Sequence, residues 1–150
     1  MRVPGPGAVA ATLVLALIVA GCGTTSLSAQ QLDSGAKRAC LAATRTLNRI
    51  PTPQLPSGGA TFLRRGIGAL KPELAALDRL HPGGGLAGNY VRARNATRQE
   101  LAALQSTLKG LKAGNDPVVA IKRLQQQLLP LEQRAAASWA AVGVPVCADG

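Results

Sequence analysis

"NDPVVAIKRLQQQLLPLEQRAAASWAAVGVPVC", residues 115–147, decides the fold. Asn115-Asp116-Pro117 reads as a helix start, with Asp116 as N-cap and Pro117 in the first helical position, where its missing N–H removes no helical hydrogen bond. From there Ile121, Leu124, Leu128, Leu131 and Ala135 recur at spacings of three and four, which puts them on one inward stripe. Pro130 predicts a kink, and the pattern fades at Gly143 and Pro145. One long amphipathic helix of this kind cannot bury its stripe alone, so the rest of the chain must supply partners.

Three further stripes supply them. Ala36, Cys40, Ala43, Leu47 and Ile50 predict a first helix over residues 34–50, ended by the prolines and glycines of "IPTPQLPSGG". Leu63, Ile67, Leu70, Leu74 and Leu77 predict a second, with Pro72 either kinking it or starting a fresh turn and "HPGGG" ending it near His81. Tyr90, Thr97, Leu101, Leu104, Leu108 and Leu111 predict a long third helix stopped by Gly114. Composition agrees: Phe62, Tyr90 and Trp139 are the only aromatics in 150 residues, and Ala, Leu, Gln, Lys and Arg dominate from Asp33 onward. That favours helix over sheet, and the length suits a single domain.

The N-terminus says where such a domain is expected to live. Met1 and Arg2 form a thin positive region, and Ala8 to Ala20 an apolar run of 13 residues, too short to span a membrane as a helix, which takes about 20. Val19-Ala20-Gly21-Cys22 then resembles the lipobox of bacterial lipoproteins: an aliphatic residue, two small residues and a cysteine. The resemblance implies a signal peptide over residues 1–21, cleavage before Cys22, and a diacylglycerol on the Cys22 thiol. Two acyl chains suffice for stable anchoring, since each buried methylene contributes about 0.8 kcal/mol. The competing reading is an ordinary secreted protein with a chance cysteine near its cleavage site. "GTTSLSAQQL", residues 23–32, is uncharged and aperiodic, so residues 22–32 read as a flexible tether of roughly 15 to 20 Å r.m.s. span, ahead of a folded domain over 33–150. The expected localisation is the extracytoplasmic face of the cell membrane.

Export bears on the other two cysteines. With Cys22 lipidated, Cys40 and Cys147 remain as an even pair in a compartment where disulfides persist, and we expect them to be bonded. The alternative is two buried, inert thiols. Four amphipathic segments with short connections favour an all-α, up-down-up-down four-helix bundle, in which helices one and four are neighbours and the two cysteines fall at the same end. "SWAAVGVPVCA", residues 138–148, weakly resembles the ending of small uncharacterised helical proteins of high-GC Gram-positive bacteria, and no function comes with that likeness.

Catalysis, metals and cofactors find little support. Asp33, Glu73, Asp78, Glu100, Asp116, Glu132 and Asp149 are scattered singly; Asp33 and Asp116 suit helix starts, while Asp78, Glu100 and Glu132 fall on predicted polar faces. Two thiols and His81 lack zinc-ligand spacing, and His81 is better placed against the last carbonyls of a helix. "GGGLAGN" lacks a phosphate-loop lysine and follows a helix, and the triplet Asn95-Ala96-Thr97 lies inside one. We therefore expect neither an enzyme nor a cofactor.

Charge is the remaining clue. Seventeen Lys and Arg against seven Asp and Glu give a formal net charge of +10, or +9 without Arg2. Arg38, Arg45 and Arg49 share a face of the first predicted helix, Arg94 and Arg98 lie one turn apart on the third, and Arg64-Arg65 adds a cluster. Such faces suit anionic lipid or wall polymer, or are simply solvated; so few aromatics argue against nucleic acid. Two functions stay open: a non-catalytic envelope interaction module engaging a protein partner, or a carrier or sensor holding a small apolar or anionic ligand. A carrier should show a pocket with apolar walls and a few polar groups, a scaffold a closed core and an exposed apolar patch.

Overall fold

The structure is a computed structural model that describes residues 26–148. The expected signal peptide over residues 1–21, with Val19-Ala20-Gly21, as well as Cys22 and Asp149, lies outside those residues. The described chain is all-helical: α1 Ala29–Leu47, α2 Gly59–Leu77, α3 Leu86–Lys112 and α4 Pro117–Val142, with single 3-10 turns at Pro56–Gly58 and Pro145–Ala148. None of these helices is long and apolar enough to cross a membrane.

Local chemistry sets the ends. Asp116 caps α4 as expected, its Oδ1 accepting from the Val119 N–H at 2.9 Å with Pro117 behind it. Gly114 and Gly143 close α3 and α4 at φ +92° and +84°, a left-handed conformation that glycine adopts without strain. At each, the next residue's N–H reaches back into the last turn: Asn115 to Gly110 O at 3.1 Å, Val144 to Trp139 O at 3.0 Å. Pro72 lies within a continuous α2 and starts no new turn.

Two expectations fail at the first helix. The tether does not reach Leu32, because Ser28 caps α1: its hydroxyl accepts from the Gln31 N–H while the Gln31 side chain accepts from the Ser28 N–H. Leu32 is 1% exposed, and Leu27 donates its N–H to His81 O at 3.0 Å. Asp33 is accordingly no helix start but a residue of the second turn, paired with Lys37 at 2.9 Å. At the other end α1 stops at Leu47, so Arg49 stands in the following turn, off the face it was assigned with Arg38 and Arg45.

Packing runs in sequence, α1 on α2, α2 on α3 and α3 on α4. The return to α1 is made by the turn Pro145–Ala148, which packs on α4 and on α1. Cys147 in that turn is bonded to Cys40 of α1. The expected side-by-side packing of α1 along α4 is replaced by this cross-strap, because Gly143 turns the chain before the last cysteine.

Around the strap lies the main core: Leu32, Ala36, Ala39, Cys40, Leu77, Tyr90, Ala93, Ala96, Ala135, Trp139, Val142 and Val144. Trp139 is fully buried and meets Tyr90 edge-to-face, ring centroids 5.9 Å apart. Both polar handles are used: Tyr90 Oη donates to Leu77 O at 2.6 Å, Trp139 Nε1 to Thr97 Oγ1 at 3.4 Å. A second, smaller core holds Ile67, Leu74 and Leu101, with Leu70, Leu104 and Leu108 only partly covered.

Candidate functional site

Where α1 fails to lie along α4, a cleft opens. Its floor comes from α2 and α3 (Leu63, Gly66, Leu70, Thr97, Leu104). One wall is the end of α1 and the turn after it, with Leu47, Asn48, Ile50 and Thr52; the other is Leu128 and Ala135 of α4. Cys147 and Ala148 close one end, so the disulfide strap is also the cleft's stop. The volume is about 490 Å³, within the range of small-molecule sites.

Three carboxylates line this apolar space, one from each of three helices: Glu73 of α2, Glu100 of α3 and Glu132 of α4. The expectation of singly scattered acids is corrected here, since residues remote in sequence converge through packing. Their helical register shows why. Glu73 lies three residues after Leu70 and four before Leu77, Glu100 three after Thr97 and four before Leu104, and Glu132 four after Leu128 and three before Ala135. Each acid thus shares a face with inward positions. That spacing was the available signal, and reading Glu100 as a member of a polar face overlooked it; Glu132, though it lines the cleft, is exposed as the polar-face reading expects.

Glu73 is 9% exposed, and among the described residues no hydrogen bond or ion pair reaches it. Burial, and next the neighbouring Glu100, raise its pKa from 4.5 to about 7. Burial followed by Glu132 does the same for Glu100, again to about 7. No lysine or arginine lines the cleft of this strongly basic chain. Two carboxyl groups that exchange protons near neutrality, a third beside them and apolar walls form a site that can hold a proton or a positive charge.

The arginines lie elsewhere. Arg94 Nε and Arg98 Nη2 both approach Asp78 Oδ1, at 3.4 and 2.7 Å, so this pair is committed to one carboxylate across α3 and the end of α2. Arg38 lines a more open groove of about 600 Å³ between α1 and α2, walled largely by Ala and Gly and shared with Arg79. Arg45 is exposed in the last turn of α1, and Arg49 is exposed beyond it. The structure therefore does not gather the five into one surface. His81 Nδ1 meets Arg79 O at 2.9 Å, a carbonyl of the turn beyond the end of α2 rather than one of the last helical carbonyls expected. No group of three or more His, Cys, Asp or Glu among the described residues is disposed to hold a metal ion. Comparison with family models, curated proteins and solved structures finds no match to this chain.

Proposed function

We propose that this chain is an extracytoplasmic lipoprotein whose helices form an up-down-up-down bundle left open between α1 and α4, and that it works without catalysis by holding a small ligand in that opening. The observation that carries the reading is the cleft itself: apolar walls, a few polar groups and a covalently fixed end. These are the features expected of a carrier or sensor. The sequence Val19-Ala20-Gly21-Cys22 supports the anchor, with lipid on Cys22 holding the protein to the outer face of the cell membrane. Exposed Leu55, Val118 and Val119 are what favours the second reading, an interaction module for a protein partner. The unpaired basic residues suit anionic lipid or wall polymer.

Gly66 provides the test. It lines the cleft, and a Cβ built there meets only Leu47 Cδ2, at 4.0 Å, so Gly66→Leu should occupy the opening without disturbing the backbone. The neutral apolar dye N-phenyl-1-naphthylamine should brighten on the unsubstituted chain and lose that enhancement on Gly66→Leu. Equal brightening of both would place the dye elsewhere and defeat the cleft reading. For the anchor, Cys22→Ser should move the protein from the membrane fraction to the soluble one; unchanged partition would defeat it.

A further inference from the structure

We infer that the occupant of the cleft is an amphipathic cation, an amine with an apolar body, rather than the apolar or anionic ligand that the sequence suggests. This inference rests on the carrier reading and narrows it to a ligand class. Glu73 is the decisive group: the residue is nine-tenths buried, it borders both this cleft and the groove that carries Arg38 and Arg79, and a carboxylate so largely removed from water is costly to maintain without a partner. Among the described residues no hydrogen bond or ion pair reaches it, Arg38 and Arg79 included. Asn48 and Thr52, on the wall formed by α1 and its following turn, are neutral, as are Cys147 and Ala148 at the strap, while α3 and α4 add Glu100 and Glu132. Every charged group facing the cleft is thus acidic, although basic residues outnumber acidic ones seventeen to seven in the chain.

A cation entering this space gains the attraction of two partly desolvated carboxylates, Glu73 and Glu100, with the exposed Glu132 beside them, and its apolar body covers Leu63, Leu70, Leu104 and Leu128. An anion meets repulsion from the same groups. The exterior of the molecule imposes the opposite preference, since a net charge of +10 draws anions and repels cations. Cleft binding and surface adsorption therefore rank the same probes in reverse order.

The experiment follows from that reversal. Octylammonium, octanol and octanoate are titrated at pH 8, each below its aggregation concentration, into the full chain carrying Cys22→Ser, by calorimetry and by displacement of N-phenyl-1-naphthylamine. Octylammonium should bind best and octanoate worst, and Glu73→Gln and Glu100→Gln should each weaken octylammonium at least about tenfold with octanol unchanged. Gly66→Leu should abolish all three. Octanol or octanoate binding as well as octylammonium, with the dye still displaced, overturns the charge preference and leaves the cleft reading standing. A full chain that takes up neither dye nor any octyl probe overturns both. Octylammonium binding that survives both glutamine variants also overturns the inference, because the carboxylates would then contribute nothing.

Discussion

The two halves of this molecule use the same four-three periodicity and reach different ends. At the disulfide end, stripe residues of all four helices meet, Trp139 and Tyr90 fill the centre, and each buried polar atom of that pair is bonded. In the other half α2 and α3 pack on each other, but α1 and α4 stand apart, and leucines of the same stripe remain partly covered around three carboxylates. The difference teaches that amphipathic register specifies which face of a helix looks inward, and only the neighbour decides whether that face is sealed. A sealed face contributes stability; an unsealed one is where a ligand can be recognised.

Three perturbations should separate the halves. The largest is loss of the strap. Reducing the Cys40–Cys147 bond releases a 107-residue separation and should lower unfolding free energy by about 4 to 5 kcal/mol in the loop-closure account, read as a shift in denaturation midpoint with and without reductant. Trp139→Ala in the sealed half should cost about 3 to 5 kcal/mol, whereas Leu104→Ala in the open half should cost less, about 2 kcal/mol, because the leucine is only partly covered. Similar losses from both would show that the halves are equally packed.

The smallest effect has a characteristic pH dependence. Glu73 is held at a pKa of about 7 in the folded chain against 4.5 when unperturbed, so the folded state holds the proton more tightly. Its contribution to stability is fully present below about pH 4.5 and is lost as pH rises through 7. Glu73→Gln removes that decline. The variant should match the parent at pH 4 and exceed it at pH 8 by no more than about 3 kcal/mol, measured by denaturant titration at the two pH values. A constant offset at both would show that the carboxyl is not held protonated by its surroundings.

Much of the architecture is legible in the residues. Asp116-Pro117 and Gly143 mark α4 at both ends because capping chemistry is local, and the two cysteines pair as expected. The start of α1 was harder to see, since "GTTSLSAQQL" has no charge and little apolar pattern; only the Ser28 to Gln31 spacing of a capping box announces the helix. The cleft was not legible at all. It depends on α1 stopping at Leu47 and on a cross-strap taking the place of α1–α4 packing, and both are properties of the assembled chain rather than of any window. The arginine pairs misled for a related reason: Asp78, at the end of α2, draws Arg94 and Arg98 from a different helix.

Gly143 has a consequence for the order in which the molecule is made. Its left-handed turn is the point at which the chain leaves the axis of α4 and sends Cys147 back towards α1. A carbonyl clash with any Cβ there would favour continuing the helix outward, away from the waiting thiol. Closing a loop across 107 residues is entropically costly, so docking of the intervening helices and formation of the turn raise the frequency with which the two sulfurs meet. The bond then acts as a seal on a fold whose helices already bring Cys40 and Cys147 together.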